Sequence, residues 1–171
     1  MRSLTLAAVV LMLGACASDT GYRYPTRPTP EPAIAQVTLN RPFPVRPDRA
    51  SEFIQYGRIV PYNQVSEYYP HCIFGLRTVS AAARTVRPET FTVTGIHRDR
   101  FMAWLDGLQL AGGDDGGDYG MVMSSTRLDL QSATQPEVFR LTCQQLDEPW
   151  RMHHLSLQEM QQALGELFTL R

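Results

Sequence analysis

The alternation of apolar and polar positions is clearest in the middle of the chain. Cys72, Phe74 and Leu76 alternate with His71, Gly75 and Arg77, a period of two that suits a strand with one face buried. Residues 90–96 are rich in β-branched and aromatic side chains, with Phe91 and Val93 on one face. Gly95 then shifts the phase, as a β-bulge does, and Ile96 breaks the alternation. Further on, Val122, Thr126, Leu128 and Leu130 share a face while Arg127 and Asp129 take the other. A turn-rich link over 132–136 leads to Phe139, Leu141 and Cys143, which alternate with Arg140 and Thr142. These last two runs predict neighbouring antiparallel strands.

The period changes near the C-terminus. Ser156 followed by Glu159 makes a capping-box pattern, and Leu157, Met160, Leu164, Leu167 and Phe168 fall on one helical face. Phe101, Trp104, Leu105 and Leu108 fit a short second helix, and a strand nearly as well. The pattern as a whole predicts an α+β fold, an antiparallel β-sheet domain with a C-terminal amphipathic helix lying on one face. With 171 residues, of which 43% are apolar, the chain supplies one domain of ordinary size. No internal repeat is visible.

The N-terminus reads differently. Met1 and Arg2 give a short positive start, and residues 4–13 are apolar except for Thr5, the pattern of a signal-peptide core. As a helix that run would span roughly 15 Å, about half the hydrocarbon thickness of a bilayer, which is too short for a transmembrane anchor. It ends in Leu13, Gly14, Ala15 and Cys16, which resembles the lipobox of bacterial lipoprotein precursors: an aliphatic residue, two small residues and the acylated cysteine. Gly14 stands where Ala or Ser is commoner, and the resemblance covers residues 1–16 alone. It implies cleavage before Cys16, a diacylglycerol on its thiol and a third acyl chain on its new amine. Each buried methylene contributes about 0.8 kcal/mol, so two or three chains anchor stably where one binds reversibly. Ala17, where an Asp would favour inner-membrane retention in that class, implies the periplasmic face of the outer membrane.

Seven of the twelve prolines lie between Gly21 and Arg49. Proline fixes φ and removes amide donors, so this segment reads as an extended tether with Arg23, Arg27, Arg41, Arg46 and Arg49 along it. A short apolar stretch over 34–39 fits an edge strand. The expected organisation is a signal peptide over 1–15, the lipidated cysteine and proline-rich tether over 16–51, and a β-rich periplasmic domain over 52–171.

Composition removes several functions. All basic residues are Arg, since the sequence holds no Lys, which excludes Schiff-base chemistry, pyridoxal phosphate attachment and a Walker-type phosphate loop. Seventeen acidic residues against 16 basic ones leave a net charge of -1, unlike the clustered basic surface that nucleic acid requires. Cys72 and Cys143 are the cysteines left beside Cys16, and an exported chain places them in an oxidising compartment. Both sit on the apolar phase of their strands, so a disulfide is expected.

Candidate chemistry is sparse. His71, Met121, Met123, Met152, His153 and His154 are ligand types that suit copper. Adjacent histidines on an extended segment point apart, however, so no metal site is assigned and His153 and His154 stand as the candidates for one. Gly112 to Asp118 forms an acidic glycine-rich loop that matches neither an EF-hand nor an RTX repeat. There is no Gly-x-Ser-x-Gly elbow, no His-Glu-x-x-His helix and no dinucleotide fingerprint. The carboxylate pairs Glu67 with Glu89 and Asp147 with Glu148 have no separation that sequence reveals. Tyr68, Tyr69, His71 and Arg77 make the densest polar and aromatic grouping.

The expectation is a noncatalytic outer-membrane lipoprotein acting as an envelope binding or assembly module. It needs no cofactor, contacts the membrane through its acyl chains, and takes an envelope protein or glycan as partner. The alternatives are a periplasmic metal or small-ligand carrier using His153 and His154, and an envelope hydrolase built around the tyrosine-rich grouping.

Overall fold

The computed structural model describes residues 34–103 and 120–171. The lipobox, the first part of the proline-rich segment, Trp104, Leu105, Leu108 and the acidic glycine-rich loop lie outside the described residues. Among the described residues, no helix is long and apolar enough to cross a membrane.

Most of the described chain is antiparallel β-sheet. The strands are β1 (Gln36–Leu39), β2 (Phe43–Val45), β3 (Arg49–Gln55), β4 (Arg58–Val60), β5 (His71–Ser80), β6 (Arg84–Val86), β7 (Glu89–Ala103), β8 (Met121–Gln131), β9 (Val138–Asp147) and β10 (Phe168–Leu170). Eight of them form one sheet in the order β10-β1-β7-β8-β9-β5-β3-β4, while β2 and β6 make a separate two-stranded ribbon. Helix α1 (Leu157–Leu164) follows a full capping box, with Ser156 Oγ accepting from the Glu159 amide and the Glu159 carboxylate accepting from the Ser156 amide.

The strand pattern predicted from period two is present. The β7–β8 register slips between Val93 and Gly95, at the glycine that shifts the sequence phase. Residues of one parity, among them Phe74, Leu128, Leu141 and Phe91, bury completely and pack with Phe43 and Phe168. Phe43 and Phe168 each bring their ring centroids to 5.0 Å from that of Phe74. Cys72 and Cys143 face each other across β5 and β9 with Cα atoms 4.0 Å apart and form the disulfide. A bridge spanning 71 positions removes about 4 kcal/mol of unfolded-chain entropy in the loop-closure picture.

Four expectations change. Residues 34–51 belong to the fold: β1 is hydrogen-bonded on both sides, to β10 and to β7, so it is an inner strand and neither an edge nor a tether. Helix α1 stops at Gly165, which takes φ +57°. Its buried face is Met160, Ala163 and Leu164, while Leu157 is exposed and Phe168 starts a strand. Phe139 leaves the core phase because the β5–β9 register shifts between Gly75 and Leu76, so Val138 takes the buried position. Its ring stands instead against the Arg140 and Arg77 guanidiniums, 4.7 Å and 5.3 Å away. Phe101, offered to a helix, is part of β7.

The sheet curls around its helix. The turn between β3 and β4 reaches the end of α1, where the Gly57 amide donates to the Ala163 carbonyl at 2.9 Å. Since β4 and β10 are opposite ends of the strand order, both borders of the sheet meet one helix terminus.

Candidate functional site

The tyrosines gather at one corner of the sheet. The β3–β4 hairpin turns on Tyr56 and Gly57 with φ of 51° and 72°, the left-handed pair that a two-residue type I′ turn requires. From β4 the chain passes through Pro61 and a single 3-10 turn (Tyr62–Gln64) before entering β5 at His71. Tyr56, Tyr62, Tyr68 and Tyr69 each leave more than half of their surface in solvent.

Buried amides and a histidine hold this corner in one conformation. Gln55 is 4% exposed and clamps the loop from beneath. Its Nε2 donates to the Ser66 carbonyl at 2.8 Å, and its Oε1 accepts from the Ser66 amide at 3.0 Å. The Leu146 amide donates to the Glu67 carbonyl at 2.7 Å, tying the loop to the end of β9. His71 is 1% exposed, with Nδ1 3.1 Å from the Tyr69 carbonyl and Nε2 3.1 Å from Gln144 Nε2. Burial pushes its pKa below the ordinary value, so the neutral imidazole donates through Nδ1 and accepts the Gln144 amide proton at Nε2.

Between Tyr62, Tyr68 and Leu146 the surface sinks into a groove of about 530 Å³. Tyr62 donates its hydroxyl to Glu67 Oε1 at 3.2 Å, and the negative charge of Glu67 raises the phenol pKa. Tyr62 also packs on Phe53, ring centroids 5.2 Å apart, and Tyr56 stands 6.2 Å from Tyr69. The corner thus offers aromatic faces with polar tips on a backbone fixed from below.

Of the grouping singled out in the sequence, Tyr68, Tyr69 and His71 belong to this corner. Arg77 is six residues along β5, roughly 20 Å away at about 3.4 Å per residue, where its Nε donates to the Pro136 carbonyl.

His153 and His154 point to different neighbours. His153 Nε2 lies 3.0 Å from Glu159 Oε1. Burial works to lower its pKa, but the Glu159 hydrogen bond and charge carry it above the ordinary value. His154 has a lowered pKa, from burial first and then from the charges of Arg100 and Arg98. Among the described residues, no three His, Cys, Asp or Glu side chains come together as a metal set.

The carboxylate pairs serve local structure. Glu89 accepts from Ser132 Oγ, Thr134 Oγ1 and Gln135 Nε2. Burial alone raises its pKa, yet these donors outweigh it and set the pKa below the usual value. Asp147 accepts from the Glu148 amide at 2.8 Å and caps the end of β9.

Sequence reasoning missed Gln55, whose clamp depends on a loop eleven residues away. Comparison with protein-family models, with curated proteins and with solved structures gives no match for this chain.

Proposed function

We propose that this chain is a noncatalytic lipoprotein, anchored in the outer membrane by acyl chains on Cys16, whose folded domain binds a protein partner through the tyrosine corner. The observation that carries the reading is the set of four exposed tyrosines, Tyr56 on the β3–β4 turn and Tyr62, Tyr68 and Tyr69 on the following loop that Gln55 and His71 hold. Tyrosine presents a large, rigid and amphipathic surface at low entropic cost and is enriched where proteins meet. A loop already ordered before contact loses little further freedom on binding.

Tyr56 adds weight to this. It occupies a left-handed position where Asn or Gly sits without strain, and its ring is 57% exposed rather than packed in the core. Beyond its contact with Tyr69, the ring turns its surface outward, where a partner can use it. Strand β4, beside it, is the last strand of the sheet order and leaves one edge unpaired among the described strands, which extends the same surface with backbone donors and acceptors.

The test is purification from native membranes of the wild-type chain, Cys16→Ser and the double variant Tyr62→Ala/Tyr68→Ala. The reading expects Cys16→Ser to leave the membrane fraction. It also expects the tyrosine variant to stay membrane-bound and folded by circular dichroism while losing a stoichiometric protein recovered with wild type. Recovery of that protein unchanged with the tyrosine variant overturns the assignment, and tyrosine-dependent pelleting with purified sacculi in its absence makes the partner a glycan instead.

A further inference from the structure

The core-side face of the sheet changes character from one row to the next. Ile96, Leu128, Leu141 and Phe74 stand in register on β7, β8, β9 and β5 and form apolar core. The following row is Arg98, Thr126, Cys143 and Cys72, and the one after it contains Arg100, Ser124 and Gln145. Beyond these, the row is Met102, Val122 and Asp147, apolar on β7 and β8 and acidic on β9. Two arginines and two hydroxyls thus occupy positions whose parity belongs to the core.

Their hydrogen-bonding groups are unspent. Thr126 is 0% and Ser124 2% exposed. Among the described residues neither hydroxyl has a hydrogen-bond partner, and the same holds for Arg98 Nε, Arg98 Nη2 and His154 Nδ1, all closed off from solvent. Leaving one such group unmade costs about 1–3 kcal/mol, and more when it is charged. A fold seldom concentrates five of them without something to receive them. His154 reaches the cluster from the segment before α1, where its ring bonds the Ser125 backbone and lies close enough for Arg100 and Arg98, and more weakly and in the opposite sense Asp99, to act on its charge. Of the nearby carboxylates, Asp99 pairs with Ser125 on the opposite parity, and Asp147 is held by the Glu148 amide and faced by Arg151. The balance at the cluster is positive.

We propose that Arg98, Arg100, Ser124, Thr126 and His154 form a binding site for a phosphate group. A planar guanidinium fork with two hydroxyl donors supplies more donors than the two oxygens of a carboxylate use, and matches a tetrahedral oxyanion, with the His154 imidazole at its edge as a reporter. The apolar pair Met102 and Val122 alongside accommodates a hydrocarbon substituent, so the phosphate comes either from a free ion or from an anionic lipid headgroup. The site is separate from the tyrosine corner and stands whether or not that corner binds protein.

The experiment follows the His154 imidazole by nitrogen-15 NMR in the full-length protein held in dodecyl maltoside micelles. Inorganic phosphate is titrated first, then repeated with phosphatidylglycerol or phosphatidylcholine doped into the micelles. The site predicts a saturable His154 shift that Arg98→Gln weakens by about tenfold or more, with Thr126→Val and Ser124→Ala weakening it too. Should Arg98→Gln fail to fold, the exposed Arg100→Gln serves, with an expected loss of about threefold. Competition by phosphatidylglycerol and not phosphatidylcholine identifies a lipid headgroup, and saturation by inorganic phosphate without such competition identifies the free ion. No saturable shift with either probe, or equal binding by the folded arginine variants, overturns the site.

Discussion

Gly57 and Gly165 meet backbone to backbone, so that a Cβ built on Gly165 stands only 2.5 Å from the Gly57 Cα. That contact joins the β3–β4 turn to the end of α1 and closes the sheet on its helix. Gly165 also holds φ 57° and ψ -138°, a conformation reserved for glycine that costs any other residue about 1–3 kcal/mol before the clash is counted. Gly165→Ala is expected to lower stability by more than that range's lower end and to loosen α1. Gly57→Ala, whose Cβ meets Gly165 at 3.2 Å, should cost less. Urea titration of the two variants checks the order.

Glu52 is buried completely on the core side of β3 and receives the Arg46 backbone amide at 2.8 Å. The Arg46 side chain donates to both carboxylate oxygens, through Nε at 3.0 Å to each and through Nη2 to Oε2. Arg46→Ala strands a buried carboxylate and should cost roughly 3 kcal/mol, with Arg46→Lys recovering only part because it loses the fork. The double variant Arg46→Met/Glu52→Leu should restore most of the loss, since no charge is then left buried. Equal stability of wild type and Arg46→Ala in denaturant would contradict this.

Tyr56 trades stability for surface. Tyr56→Asn should stabilise the domain by about 0.5–1 kcal/mol, because Asn relieves the left-handed strain at the turn. It should also weaken partner binding by removing an exposed ring. A Tm that rises while binding falls is the expected pair of readings.

The tyrosine corner carries a pH dependence through His71. Burial lowers its pKa from 6.5 in the folded protein, so the unfolded chain binds more protons as pH falls below that value. The contribution of His71 is therefore full above about pH 6.5 and lost as pH drops through the lowered folded pKa. His154 shifts in the same direction. His153, with its raised pKa, contributes below 6.5 and loses that contribution as pH rises through its own folded value. A local readout separates them: protection of the Ser66 amide against hydrogen exchange, corrected for intrinsic rate, should fall between about pH 7.5 and about pH 5 in wild type. It should stay level in His71→Asn.

Where one face of a strand is buried, the chain announced its structure. Cys72, Phe74 and Leu76 could not slip by one residue without turning the core outward, and the disulfide and the Ser156–Glu159 cap follow from equally local rules. Strand β1 was legible as a strand but not as an inner one, and β2 was hidden by its proline. Pro44 lies exposed between the buried Phe43 and Val45, in a two-strand ribbon with an open side where a missing N–H costs nothing. Phe139 was misplaced because a bulge has no fixed signature. The tyrosine corner was half legible: Tyr68, Tyr69 and His71 are neighbours in sequence, but Tyr56 and Gln55 join them through the sheet. Arg98 and Arg100 carried a signal of their own, charge at the parity of Ile96, which a reading centred on apolar residues passes over.

Photo-crosslinking in living cells tests the central claim most directly. A crosslinking amino acid placed at Tyr68, at Tyr62 or, as a control away from the corner, at Arg87 reports what touches each position. The account predicts one discrete protein adduct at 62 and 68, none at 87, and loss of the adduct when Cys16→Ser releases the chain from the membrane. Adducts of equal strength at all three positions, or none at 62 and 68 in a membrane-bound chain, would contradict it.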